Sequence, residues 1–457
     1  MTDINNTAIQ KLISHIENTD YDDLPESAVL AAKTFILDSI GVGISGSRVD
    51  KVDLVKQGLS HYGASKQAQI WVTGEWVPTN VAAAVNGYQI HNQEWDCVHE
   101  PAVVHPMAVI LSALMSYGQR ENISGKQLLL GCVIAVDVAT LIGASATSGL
   151  KFFRPSVCGC LGATAGICAM LSIKGETLKN ALGIAYSQIS GTMQAHVEGS
   201  PMLALQISVN SNNAINAVDM ARAGFEGPKD ILEGPFGYFN LFEDSHDLTY
   251  FNQNIGKNFQ IEQVSHKPFP TGRAGHGTVD GLQELQTKHG FRAEQIKQIR
   301  VSATPLINRL VGRPIKPDMD VSYAKLCNGY IAATALLTGT VTVQDFDADK
   351  LIDAKRLALG AKVITELNQV SDPNALAPVS VSVELNSGQQ FTISLPAILG
   401  NPQRPLSRKA QEDKFRAACL SAKTPFNATQ IDNLINSIDE LDQIQNISTL
   451  TALTINN

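Results

Sequence analysis

The chain has 457 residues, of which 17% are charged and 44% hydrophobic, and its net charge is -8. Typical soluble chains carry about 25% charged residues, so a large core and a subunit interface are expected to hide much of this surface. The negative balance excludes bulk attraction to nucleic acid or to an anionic membrane.

The first half reads as helices. Asp23-Leu24-Pro25-Glu26 is a helix start, with proline just inside and acids in the first turn. That helix runs through Phe35, Ile36 and Ile40 to the glycines Gly41, Gly43 and Gly46. Val81 to Gln89, Met107 to Tyr117 and Asn210 to Ala223 are further helical segments. Leu128 to Ala146 is long and apolar but is interrupted by Asp137, which suits a buried core helix better than a membrane span. Gly159 to Ala185 is rich in small residues, so its helices can pack with close backbones.

The pattern changes near residue 264. Ile299, Val301 and Ala303 alternate with polar residues, as do Val379, Val381, Val383 and Leu385; after Asn386-Ser387-Gly388 come Phe391, Ile393 and Leu395, which predicts a β-hairpin. Val279 to Lys288 and Tyr323 to Thr338 between them look helical, and helices resume at Arg408 to Ser421 and Ile431 to Ile438. The expected architecture is mainly α: a large helical domain formed by residues 1–263 and 396–457, with residues 264–395 inserted as an α+β lid.

Seven cysteines, odd in number and irregularly spaced, read as reduced thiols of a cytoplasmic protein. Met1 to Glu17 lacks an apolar stretch, so no secretory signal is expected.

Three segments place polar residues in apolar surroundings. From Asn86 to His105-Pro106 lie His91, His99 and His105 with Glu94, Asp96 and Glu100, groups suited to proton transfer. The spacing matches no zinc motif, so no metal is expected. Arg154 stands before the small-residue helix, where a guanidinium can clamp a carboxylate through two hydrogen bonds. Residues 266–277, His-Lys-Pro-Phe-Pro-Thr-Gly-Arg-Ala-Gly-His-Gly, read as an irregular loop carrying Lys267, Arg273 and His276 to the domain boundary, where ligand sites favour forming. No phosphate-binding loop and no serine-nucleophile elbow is present.

Asp38-Ser39-Ile40-Gly41-Val42 with Gly46-Ser47, the Asn86 to Pro106 segment, Asn180 to Ala185 with Ser187 to Gly191, Leu232-Glu233-Gly234, Lys267-Pro268-Phe269-Pro270 and Pro405-Leu406-Ser407 resemble, in order, the motifs of the MmgE/PrpD family. That family includes 2-methylcitrate dehydratase, cis-aconitate decarboxylase and iminodisuccinate epimerase. The resemblance implies a homodimer without metal or organic cofactor, acting on a small polycarboxylate by proton transfer beside a carboxylate. A dehydratase-like lyase is the first expectation; decarboxylation, isomerisation and a non-catalytic metabolite- or partner-binding role are the others. Matching residue by residue makes His105, Asp96, Lys267 and His276 the candidate catalytic residues and Glu94 a candidate substrate-binding one; Arg154, which stands where decarboxylase relatives have histidine, and His99, Arg273 and Tyr323 are the further substrate-binding candidates. Leu203, Gln206 and Val209 stand near where the family often has lysine, histidine and arginine, so Arg154, Lys267 and Arg273 are expected to converge on one pocket with His105 and His276.

Overall fold

A computed structural model describes residues 7–456. Long helices dominate residues up to 254: Glu26–Gly46, Thr79–His91, Pro106–Glu121, Gly125–Ala144, Arg154–Met170 and Met202–Arg222. Their packing follows from side-chain size. A Cβ on Gly162 would lie 2.5 Å from the Ala135 carbonyl oxygen, and one on Gly166 would lie 2.6 Å from that of Gly131. Glycine at these two positions lets the Gly125–Ala144 and Arg154–Met170 helices touch backbone to backbone. Gly125–Ala144 is buried on all sides from Leu128 to Gly143, the core-helix arrangement that its composition suggested. Asp137 is accommodated inside it by His15 Nε2 at 2.9 Å and by the Gln260 backbone N–H at 2.7 Å.

The chain ends close on each other. Helix Arg408–Leu420 packs on Glu26–Gly46, where buried Lys414 pairs with Asp38. Lys414 also donates a 3.0 Å hydrogen bond to the Trp95 carbonyl.

The intervening α+β unit carries a four-stranded sheet in the order Val363–Leu367, Ile296–Ala303, Val379–Leu385, Gln390–Leu395. The first pair is parallel and the others antiparallel. The hairpin has the expected two-residue alternation, with Val379, Val381, Val383 and Leu385 buried, and Gly388 turns it at φ 88°. Strand Val363–Leu367 was not anticipated. It is five residues long and mostly exposed, so it lacks a buried face to read. Helix Arg273–His289 begins six residues earlier than expected, and Met202–Arg222 begins eight residues earlier. The second difference puts Leu203, Gln206 and Val209 on one helix. A short antiparallel pairing, Val98–His99 with Val264–Ser265, fastens the histidine-rich loop to the segment that leads into the α+β unit.

Candidate active site

One loop assembles most of the site. Helix Thr79–His91 ends on His91, and Glu94 turns the chain with φ 54°. Val98–His99 then pairs with residues 264–265, and His105 caps the helix that starts at Pro106. Between these fixed ends the loop brings His91, Glu94, Asp96 and His105 together. Pairing with Val264–Ser265 brings Lys267 against the same cluster.

Asp96 is the centre. Its Oδ2 accepts from His91 Nδ1 at 2.9 Å and lies 3.5 Å from His105 Nδ1, at the edge of hydrogen-bond reach. Lys267 Nζ is 3.2 Å from Glu94 Oε2, 3.1 Å from the Glu94 carbonyl and 3.8 Å from Asp96 Oδ1. The His91 and His105 rings are 5.2 Å apart and nearly perpendicular.

These neighbours push the titrating groups in different directions. Burial alone would raise Glu94, but Lys267 and the two histidines prevail and hold it down at about 2. Asp96 is likewise buried, yet His91, His105 and Lys267 keep it well below the ordinary aspartate value. Burial would lower His91, but Asp96 and Glu94 prevail and raise it. Burial and Lys267 lower His105 in spite of Asp96. Two histidines on one carboxylate thus divide into a better proton holder and a neutral, base-competent ring, the separation that acid–base chemistry uses.

The cluster borders an inner cavity of about 60 Å³ that His91, Glu94 and His105 share with apolar Leu203, Val311 and Leu326. Of the three positions expected to have lost a basic wall, only Leu203 faces this cavity. Gln206 accepts from the Thr192 N–H at 2.7 Å, and Val209 is 37% exposed on an outer groove.

The expected convergence of Arg154, Lys267 and Arg273 does not occur. Arg154 is 1% exposed, and its guanidinium is engaged by Glu243 at 2.8 and 2.9 Å, Asn374 Oδ1 at 3.0 Å and the Ser148 carbonyl at 2.8 Å. Four of its five N–H donors are engaged, and Arg154 lines neither the inner cavity nor the larger one beside it. Sequence context showed a helix start but not Glu243, which lies 89 residues away. Arg273 is spent on Glu100 at 2.7 Å and on the carbonyls of Leu399 at 2.7 Å and His266 at 3.2 Å. It braces the α+β unit, and although Arg273 lines the cavity its guanidinium is committed to these partners.

His276 sits in the first turns of helix Arg273–His289 and not in a loop; its Nε2 meets the Thr271 carbonyl at 3.2 Å and it lines neither cavity. Burial and nearby cations drive its pKa well down, so it supports the 267–272 turn as a neutral ring. His99 is buried too, at about 4, and its Nδ1 accepts from the Ala102 N–H at 3.3 Å. Tyr323 donates to the Pro314 carbonyl at 2.8 Å, with the Arg313 guanidinium 4.8 Å from its ring centre, outside both cavities.

The structure adds residues not singled out from sequence. His91 was one of three histidines in its segment, and only the fold shows that it shares Asp96. His196 lines the inner cavity, held near 4 by burial and Arg313. Lys325 lines the adjoining space; it lay unmarked within the helical segment read from Tyr323 to Thr338.

His91, Asp96 and His105 hold donor atoms within 4.8 Å of one another. A cation there would face the Lys267 ammonium, 3.8 Å from the free oxygen of Asp96, and would have to displace the proton that the raised His91 retains. The fit to a metal is therefore poor.

Arg154→Ala is expected to cost about 3–5 kcal/mol of stability, because it leaves Glu243 buried without its partner. The Michaelis constant of the folded variant should not change. Chemical denaturation beside steady-state kinetics checks this; a raised Michaelis constant at undiminished stability would return Arg154 to the substrate.

The MmgE/PrpD N-terminal domain model matches residues 10–250, and the MmgE/PrpD C-terminal domain model matches residues 269–439. The chain is 27% identical over 422 residues to a cis-aconitate decarboxylase of Mus musculus, covering 88% of this chain and 84% of that one. It is 27% identical over 413 residues to a cis-aconitate decarboxylase of Homo sapiens, covering 86% and 84%. To a cis-aconitate decarboxylase of Aspergillus terreus it is 23% identical over 444 residues, covering 92% and 90%.

Proposed function

This chain belongs to the MmgE/PrpD family, and we propose that it is a cofactor-independent lyase for a small di- or tricarboxylate, working by proton transfer at a carbon beside a carboxylate. The observation that carries this reading is one buried carboxylate, Asp96, set between two oppositely shifted histidines that line a cavity. Asp96 faces Nδ1 of each ring, which leaves Nε2 of His105 as the basic nitrogen. His105 takes the proton from the carbon. The electron pair moves toward the carboxylate, and Lys267, which lines neither cavity, supplies positive charge from behind Glu94 and Asp96. His91, the better proton holder, supplies the proton for the departing group.

A dehydratase uses this pair directly: the C–H bond breaks to His105, the C–O bond breaks with protonation from His91, and water and an alkene result. Decarboxylation is the second reading, favoured by the three decarboxylase relatives and by the apolar wall of Leu203, Leu326 and Leu376. There the C–C bond to the carboxylate breaks and a proton is delivered to carbon. A panel of hydroxy- and unsaturated polycarboxylates, followed by NMR with parallel CO₂ detection, separates the two. New alkene without CO₂ supports the hydro-lyase, and CO₂ in step with product supports the carboxy-lyase. No turnover of any member would contradict both.

The purified protein is expected to contain no stoichiometric metal, for the electrostatic reason above. Elemental analysis showing one zinc, iron or manganese per chain, lost in His105→Ala, would overturn this. We also propose a homodimer. Leu54, Tyr62 and Met202, exposed by 63%, 49% and 42%, rim one outer groove with Val209, an apolar face suited to a second copy. Light scattering at micromolar concentration should give twice the chain mass, and a monomer mass would rule the dimer out.

A further inference from the structure

Beside the inner cavity lies a larger one of about 320 Å³, and His91, Glu94, Leu203 and Leu326 form a wall common to both. Three cations line the larger space, Arg48, Lys51 and Lys325, together with the acids Asp50, Glu94 and Asp347. Most of these charges have partners or reach water. Glu94 pairs with Lys267, and Arg48 Nη2 meets Asp347 at 3.1 Å.

Lys325 is different. It ends the short helix Val321–Lys325 and is 4% exposed. Among the described residues the only hydrogen bond of its ammonium is a 3.5 Å contact to the Asn92 carbonyl, and no acid lies within ion-pair distance of it. The ammonium also lies 5.5 Å from the Phe346 ring centre, a weak compensation. Its own carbonyl accepts from the Gly272 N–H at 3.2 Å, which ties it to the turn that presents Lys267. Arg48 Nη1, at the same cavity, is buried and has no partner either. A buried cation without an anion in contact is costly to a fold, and burial, only partly offset by Glu94 across the cavity, lowers Lys325 to about 7. An anionic ligand in the cavity would restore the missing interaction.

We propose that this outer cavity is a second carboxylate subsite, in which Lys325, aided by Arg48, holds a carboxylate of the substrate remote from the reacting carbon. The inference rests on the polycarboxylate reading above and adds the residue that makes a second carboxylate necessary. The substrate then spans the shared wall, with its reacting carbon at His105 and its far carboxylate at Lys325. Discrimination between a polycarboxylate and a monocarboxylate arises at Lys325, while proton transfer does not involve it.

The test is calorimetric binding of propane-1,2,3-tricarboxylate, which has no leaving group, with butyrate as the monocarboxylate control. The full-length wild type should bind the tricarboxylate, and Lys325→Met should weaken that binding by roughly 10-fold or more, as expected for a lost charge-assisted hydrogen bond. Lys325→Arg should recover part of the loss, and butyrate should bind wild type and Lys325→Met equally. In turnover, Lys325→Met should raise KM and leave kcat within a few-fold. The ligand-free Lys325→Met protein should unfold at the same or a higher temperature, since an unpaired buried charge has been removed. Should that variant not fold, Arg48→Met decides: weaker tricarboxylate binding supports the subsite and unchanged binding overturns it. Wild-type binding that persists in Lys325→Met overturns the subsite and leaves the proposed function standing. A wild type that binds no tricarboxylate also overturns the subsite, while the proposed function is decided separately by the turnover panel.

Discussion

Replacing His105 with alanine should lower turnover by about 10²–10⁴-fold, the usual contribution of a positioned acid or base, with little change in stability. The separation of effects follows from the structure. His105 caps the helix at Pro106 without using its side chain for the cap, and its contact to Asp96 is 3.5 Å, longer than the 2.9 Å bond from His91. Removing it leaves the tighter pair intact. The pH profile supplies a second readout. His105 lies below its ordinary 6.5, so the acid limb of wild-type activity should fall below that value. His91 lies above its ordinary 6.5, so a proton-donating role makes activity decline on the alkaline side as His91 deprotonates. In Asp96→Asn both limbs should move to lower pH, because Asp96 favours the protonated form of each ring. Ordinary turnover in His105→Ala would remove it from the chemistry.

Lys267→Met should be the most damaging change to the fold at the site and should also abolish turnover. Lys267 is fully buried and is the only lysine or arginine in contact with Glu94 and Asp96 among the described residues; stripping a partner from a buried pair costs about 3–5 kcal/mol. The loss should depend on pH in a defined direction. In the folded wild type Glu94 is held at about 2, against 4.5 for a free side chain. A depressed carboxylate stabilises the fold fully above its unfolded value and loses that contribution as pH falls through the folded one. Wild type should therefore lose about 3 kcal/mol from Glu94 between roughly pH 4.5 and pH 2. Without Lys267 the Glu94 pKa rises, so the variant should show its deficit at neutral pH and a flatter dependence in acid. Glu94→Gln in the Lys267→Met background should restore part of the stability and none of the turnover. Urea midpoints across this pH range check all three statements; parallel curves for wild type and Lys267→Met would show that Glu94 does not depend on the lysine.

The order of helices and the hairpin were legible because they follow local rules: small residues at Gly162 and Gly166, two-residue alternation at Val379 to Leu385. The site was legible as a neighbourhood, since His91, Glu94, Asp96 and His105 lie within one loop. What sequence could not supply was which groups already have partners. Arg154 looked like a free clamp because Glu243 is remote in the chain. Arg273 looked like a pocket cation because the carbonyls of Ile398 and Leu399 that engage it belong to another segment. His276 was placed in a loop because prolines and glycines obscured the helix start at Arg273. Lys325 escaped notice for the converse reason: its significance is a lack of partners, which only a fold can reveal.

The measurement closest to the central claim is deuterium incorporation. Wild-type protein and His105→Ala are incubated in D₂O with a panel of di- and tricarboxylates and monocarboxylate controls, and the carbon beside each carboxylate is followed by NMR. Proton transfer by the Asp96–His105 pair predicts that wild type places deuterium on that carbon, in substrate or product, for at least one polycarboxylate. The monocarboxylates should stay unlabelled, and His105→Ala should reduce labelling by at least about 10²-fold. Labelling that persists undiminished in His105→Ala, or no labelling of any polycarboxylate by wild type, would contradict it.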